Sequence, residues 1–343
     1  MAKSKTVFIT GGVGYIGGPT AYALSHEGYR VIVFDSTPLI PGIGTFLIPG
    51  IKKENCIFIQ GDIRKKDELE SAMRKYSPDI VIHLAALTSV VDSEKNKEIY
   101  EVTNVRGTKN VLSAMTLCGC TKIIFASSAS VYGLVNKGMS EDSALHPMNV
   151  YARTKAEGEK IIQRDKKIRW VILRYFNIVG TTKDGLFGEP IYKNQKLIPS
   201  AIRVAIGGQK KLVIYGRDYE TPDKTAIRDY ISLEDVVRAN MKAVSYLLSF
   251  PESKKFRFRE WKFHQIFNIG SDIGTSNLEV VLAVEKQLGK KIPMLFKKKR
   301  NEPVISVAKI ERAKRMLGWE PFYSNIPGVI NGLISFQKTP RRF

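Results

Sequence analysis

The chain has 343 residues, 43% hydrophobic and 25% charged, a composition that buries a core and excludes dominant disorder, and no apolar run approaches the roughly 20 residues that span a bilayer. Its 54 Lys plus Arg against 33 Asp plus Glu give a net charge of +21, but the basic residues are dispersed and not interleaved with aromatics, which favours a solvated basic surface over a nucleic-acid site. Three cysteines, Cys56, Cys118 and Cys120, have no disulfide or metal spacing, so a cytoplasmic protein in a reducing compartment is expected.

Short apolar runs alternate with helix-like stretches through the first half, the βαβ rhythm of a parallel sheet. Strands are predicted at Thr6–Thr10, Arg30–Asp35, Cys56–Gln60, residues 79–85, residues 122–127 and Arg169–Tyr175. Residues 19–28, 67–76, 99–115 and 150–165 read as the helices between them, with Gly107 expected to interrupt the third. Residues 179–197 show no clear period. Residues 198–207 and 232–248 return to a helical pattern around a short strand at Leu212–Tyr215. The expected fold is α/β: a doubly wound, Rossmann-type parallel sheet over residues 1–180, with a smaller, partly interleaved α/β domain over 181–343. Residues near 228–248 are expected to pack back on the first domain.

The turn Gly11-Gly12-Val13-Gly14-Tyr15-Ile16-Gly17 follows a strand and opens a helix. Gly12, Gly14 and Gly17 match G-x-G-x-x-G, which permits a tight turn and lets backbone N–H groups approach a pyrophosphate. The positive end of the helix dipole faces the same anion. Asp35 closes the next strand about 18 residues further on, where a carboxylate would bind the adenosine ribose and repel a 2′-phosphate. The combination points to NAD, held by Gly11, Gly14, Tyr15, Ile16, Gly17 and Asp35.

Tyr151 and Lys155 lie at i and i+4, on one helix face. An ammonium there would pull the phenol below its ordinary value near 10, toward a base that works near neutral pH. The pattern alone arises often by chance. Its position is more telling, because Ser128 ends the preceding strand, at the sheet edge where ligands gather. Of the four histidines, His83 lies inside an apolar strand and reads as a core residue.

Together these features resemble an extended short-chain dehydrogenase/reductase, through the glycine turn, Gly61-Asp62-Ile63, Ser128, and Tyr151 with Lys155. The second half is similar to the UDP-galactose 4-epimerases. The likeness rests on Arg174-Tyr175-Phe176-Asn177, Leu197-Ile198-Pro199, Ile214-Tyr215-Gly216-Arg217-Asp218-Tyr219 and Ile227-Arg228-Asp229-Tyr230-Ile231. Phe267-Asn268-Ile269-Gly270 and Ala313-Lys314-Arg315-Met316-Leu317-Gly318-Trp319 continue the match.

The resemblance implies a UDP-sugar substrate and a homodimer formed through the helices that follow the fourth and fifth strands. It implies that Tyr151 takes the 4-hydroxyl proton while C4 passes hydride to NAD, that Lys155 supports the phenolate and holds the nicotinamide ribose, and that Ser128 stabilises the 4-keto oxygen. Asp62 and Ile63 would hold adenine. Asn177, Lys196, Leu197, Tyr215, Arg228, Lys299, Glu302 and Ser306 would line the nucleotide-sugar site. On the residues alone, Tyr215 is equally compatible with a core aromatic and Asn177 with a turn.

Departures from the family pattern fall mostly on the substrate side. Lys299 replaces a phosphate-binding arginine unless Arg300 takes over, and Glu302 stands for an aspartate. Lys196 and Thr103 replace asparagines, and Thr88 a lysine. Ser306 falls where a tyrosine closes the sugar pocket, so a 2-acetamido sugar is expected to enter. The alternatives are a 4,6-dehydratase or decarboxylase, which Ala129 and Ser130 beside Ser128 do not support, and a non-catalytic polyanion- or RNA-binding protein.

Overall fold

A computed structural model describes residues 4–37, 51, 53–135, 138–189, 196–250 and 264–338. Its centre is a seven-stranded sheet in which every pairing is parallel. The strands are β1 (Thr6–Thr10), β2 (Arg30–Asp35), β3 (Cys56–Gln60), β4 (Ile80–His83), β5 (Lys122–Ser128), β6 (Arg169–Tyr175) and β10 (His264–Ile269). Their order is β10-β6-β5-β4-β1-β2-β3.

Side-chain alternation along each strand divides the interior. Val7, Ile9, Val31 and Val33 belong to one core cluster, with Ala21 and Leu24 of α1 (Gly17–His26) and Val236 and Ala243 of α8 (Leu233–Leu248). Phe8, Ile32 and Phe34 belong to another, with Leu69 and Met73 of α2 (Lys66–Tyr76) and Val111 and Met115 of α5 (Gly107–Cys118). Strands covered on both faces read as near-continuous apolar runs, as these do. The order reverses between β1 and β4, which opens a crevice beyond their C-terminal ends.

The second half supplies β10 and α8 to this body and builds a smaller layer. There β9 (Ile227–Ser232) pairs with β7 (Asn177–Val179), β11 (Gly274–Ser276) and β13 (Ile305–Ser306), while β8 (Leu212–Tyr215) pairs with β12 (Met294–Lys297). Helices α7 (Leu197–Ala205), α9 (Asn277–Leu288) and α11 (Ile326–Lys338) close a third core.

Gly107 does not interrupt its helix. The run from α4 (Lys97–Tyr100) to α5 is continuous through a π-helical turn at Glu101–Arg106. Glycine lets the Ile63 side chain pack directly on the helix, since a Cβ would lie 2.7 Å from its Cδ1. Among the described residues no helix is long and apolar enough to cross a membrane.

Candidate active site

The crevice between β1 and β4 is a cavity of about 300 Å³ lined by Gly11, Gly14, Asp35, Asp62, Ile63 and Thr103, among others. Gly11 has φ +70°, and a Cβ on it would lie 2.7 Å from the Ala85 nitrogen. A Cβ on Gly17 would lie 2.1 Å from the Gly11 carbonyl, so its absence lets the helix close on the turn. Asp35 accepts from the Val13 N–H at 3.0 Å and from Thr37, so its carboxylate braces the turn from the next strand. Asp62 is gripped by the Arg64 guanidinium, which holds its carboxyl below the usual range.

Two expected cofactor residues face elsewhere. The Tyr15 hydroxyl donates to the Gly180 carbonyl at 2.9 Å, with Lys196 over its ring. Ile16 packs against the core. Neither side chain lines the glycine-side cavity.

Tyr151 and Lys155 sit on α6 (Val150–Arg164), whose start is fixed by the Asn149 side chain accepting from the Ala152 N–H at 2.8 Å. Tyr151 and Ser128 line one cavity of about 380 Å³, together with Asn177, Arg228, Arg300, Glu302 and Ser306. Leu87 and Ile99 of the glycine-side cavity pack against Tyr100, Val150 and Tyr151, which sets the two spaces side by side.

The expected tuning of Tyr151 takes a different form. Burial pushes the phenol up to about 12, and the influence pulling it down is a hydrogen bond with Ser128, not the charge of Lys155. Lys155 lines neither space. Its ammonium donates to the Ala126 carbonyl at 2.8 Å and lies over the Phe125 ring, and burial brings it down to about 8. His83 is buried between Thr10 and Thr108 and kept neutral by burial, its value lowered to about 3.

The third space, of about 570 Å³, is lined by Lys196, Leu197, Tyr215, Asn277 and, shared with the previous one, Asn177, Arg228, Arg300 and Glu302. Arg228 pairs with Glu302 at 3.2 Å, and Tyr219 donates to the same carboxylate at 3.1 Å. Lys299, expected here, turns outward to Asp218 at 3.2 Å. Arg300, itself exposed, lines the space instead, its guanidinium 3.5 Å from the centre of the Tyr215 ring. A planar guanidinium stacks on an aromatic face, whereas an ammonium stays hydrated outside. Lys196 reaches Glu189 and the Ile178 carbonyl rather than the centre of the space. Ser306 is buried on β13, opposite Arg228 in register, and donates to the Met139 sulfur at 3.7 Å.

Sequence reading missed two supports. The Asp229 carboxylate accepts from Ser271, Asp272 and the Ala308 N–H, tying β9 to the turn after β10 and to the segment that follows β13. Asn104, on the π-helical turn, bonds both Leu87 backbone groups and Thr154 of α6. An acid inside an apolar strand is a signal that could have found the first. Nothing in the sequence marks the second.

A doubly wound sheet with a glycine turn at its switch point and a hydroxyl–phenol pair at the next strand end defines a dinucleotide-dependent enzyme of the Rossmann class. The chain belongs to the NAD dependent epimerase/dehydratase family, whose pattern matches residues 7–270. It is 37% identical over 325 residues to UDP-glucose 4-epimerase 3 of Oryza sativa subsp. japonica, covering 92% of this chain and 85% of the relative. A crystal structure of UDP-glucose-4-epimerase from Stenotrophomonas maltophila with bound NAD and formylated UDP-arabinopyranose matches with a TM-score of 0.86 at 30% identity, covering 97% and 98% of the two chains. The UDP-Glc/GlcNAc 4-epimerase from Campylobacter jejuni matches with a TM-score of 0.81 at 27% identity, covering 98% and 99%. NAD fits the residues present: the glycine turn is closely packed where side chains would stand, and Asp35 sets a carboxylate on the lining of the same cavity.

Proposed function

We propose that the protein is an NAD-dependent UDP-hexose 4-epimerase. It interconverts UDP-glucose with UDP-galactose, and UDP-N-acetylglucosamine with UDP-N-acetylgalactosamine, through a 4-keto sugar. What carries this reading is the meeting of Ser128 and Tyr151 with Arg228, Arg300 and Ser306 in one cavity that continues into the space beside Tyr215. The names of the relatives support the same activity.

When bound in the glycine-side cavity, NAD supplies reversible two-electron oxidation at the sugar C4 carbon. Gly11, Gly14 and the N-terminus of α1 hold its pyrophosphate, Asp35 its adenosine ribose, and Asp62 and Ile63 its adenine. Tyr151 moves the 4-hydroxyl proton and Ser128 donates to the 4-oxygen, with Lys155 one helical turn further along α6 behind them. Arg228 and Arg300 bind the diphosphate, with Tyr215 beside the base. Glu302, which pairs with Arg228 in this structure, stands for the aspartate at the uridine ribose. A dehydratase is disfavoured because Ala129 and Ser130 bring no carboxylate to this cavity.

Ser306 sets the sugar range. Serine leaves space for a 2-acetamido group that a bulkier side chain would meet with an overpacking cost of about 1–3 kcal/mol. The neighbour named for both sugar types supports this breadth. Incubation with UDP-galactose and with UDP-N-acetylgalactosamine, followed by chromatography, tests the proposal, and both are expected to convert. Ser306→Tyr is expected to abolish turnover of the N-acetylated pair and spare the plain hexoses. Equal losses on both pairs would remove Ser306 from the gate. We also propose a cytoplasmic homodimer divided into a cofactor domain over residues 1–180 and a nucleotide-sugar domain over 181–343.

A further inference from the structure

We propose that the buried hydroxyl of Tyr230 is a substrate-binding group: it donates to an oxygen of the nucleoside diphosphate and takes no part in the sugar chemistry. The inference rests on the UDP-sugar reading of the cavity that Tyr230 lines.

Alternation along β9 sets Arg228 and Tyr230 on one face of the strand and Asp229 and Ile231 on the other. Asp229 turns to Ser271 and Ala308, and Ile231 joins the core of the large sheet. Arg228 and Tyr230 both line the space of about 570 Å³. Tyr230 belongs to the third core, with Val179 of β7, Ile198 of α7 and Val280 of α9. It forms a floor of that space, and only 6% of the residue stays open.

A phenylalanine would fill the same apolar seat. What tyrosine adds is a hydroxyl, and a hydroxyl buried without a partner costs stability. Other buried phenols of the chain are satisfied within it. Tyr100 donates to the Ser89 carbonyl at 2.8 Å, Tyr132 to Asn268 at 2.6 Å, Tyr175 to Asn240 at 3.0 Å and Tyr219 to Glu302 at 3.1 Å. Tyr151 meets Ser128 at the reacting centre. The Tyr230 hydroxyl has no hydrogen-bond partner among the described residues. Asn177, opposite it in register on β7, gives its amide to the Asp229 carbonyl instead.

The surroundings decide what the hydroxyl meets. Burial keeps it in the neutral, donating form, and the charges that reach it are those of Arg228 and Glu302. That pair stands where the diphosphate and the ribose are proposed to lie, so the acceptor is an oxygen of the nucleotide. Tyr230 is not on the lining of the cavity that Ser128 and Tyr151 share. It therefore holds every UDP-sugar alike, whichever hexose follows.

Tyr230→Phe tests this on the NAD-loaded protein, by calorimetric binding of UDP and of UDP-N-acetylgalactosamine, thermal melting without nucleotide, and kinetics on UDP-galactose. Loss of one hydrogen bond is expected to weaken both ligands about 3- to 10-fold. KM for UDP-galactose is expected to rise by the same factor while kcat stays near wild type. The melting temperature without nucleotide is expected to be no lower than wild type, because no contact within the protein is removed. Tyr132→Phe, which strips a paired hydroxyl from the core, is expected to melt lower and shows the signature of a structural role. Unchanged UDP affinity in Tyr230→Phe overturns the proposal, and so does a clear fall in its melting temperature. A wild-type protein that binds UDP but turns over no UDP-sugar would sink the epimerase reading alone, and the affinity ratio would still decide the role of Tyr230. A wild-type protein that binds no UDP would sink both.

Discussion

Burial acts on Tyr151 and Lys155 in opposite senses, pushing the phenol up to about 12 and bringing the ammonium down to about 8. Each is driven toward its neutral form. A phenol in that state is a poor base, so the proposed proton step needs an influence that lowers the phenol, and the Ser128 hydroxyl is the group that acts in that sense. Tyr151→Phe is expected to slow epimerisation at least about 100-fold, a general acid–base contribution, while bound NAD and thermal stability stay near wild type. Turnover close to wild type would take Tyr151 out of the base role. The next prediction concerns the cations. Arg300→Ala is expected to raise KM for UDP-galactose about 10–100-fold, the worth of a hydrogen bond to a charged group. Lys299→Ala is expected to change it less than about threefold, because Lys299 pairs outward with Asp218. Residue type and strand-end position singled out Tyr151, Lys155 and Ser128 in the sequence, and of these the structure sets Tyr151 and Ser128 on one cavity and Lys155 behind it. The sequence left the choice between Lys299 and Arg300 open, because four adjacent cations carry no sign of which one meets the Tyr215 ring.

At the scale of elements, the contact between α6 and β5 is set by one missing side chain. Gly158 lies against Phe125, with 2.6 Å available to a Cβ. Helix propensity favours Ala over Gly by about 1 kcal/mol, yet overpacking costs about 1–3 kcal/mol. The second term wins if Phe125, buried on β5, cannot move aside. Gly158→Ala is therefore expected to lower stability in denaturant titration and to reduce kcat, because α6 shifts away from Ser128. A stabilised variant with full activity would show that the spacing is slack. Strands β1, β2, β3 and β6 were legible to the residue, because runs such as Val31 to Phe34 are apolar on both faces. The π-helical turn at Glu101–Arg106 was not. Gly107 reads locally as a breaker, and only the distant Ile63 explains why a glycine continues the helix there.

Across the whole molecule, the sheet gathers β10 from the second half beside β6, a long-range pairing that local periodicity could not show. In the proposed homodimer the outer faces of the run from Lys97 to Cys118 and of α6 meet the partner. Their exposed residues include Arg106, Lys109, Arg153 and Lys160, against few exposed carboxylates such as Glu101. A C2 partner places the same patch opposite itself, so like charges approach across the axis. Their repulsion is screened beyond about 10 Å at 0.1 M salt and beyond about 3 Å at 1 M. We expect sedimentation at micromolar concentration to give a species of twice the 38.5 kDa chain mass, with the dimer tightening as salt rises. Binding of polyanions to the same basic face would run the other way, weakening with salt through counterion release. A 38.5 kDa species at every salt concentration would contradict pairing through these helices, and dissociation on adding salt would show that opposite charges hold the interface.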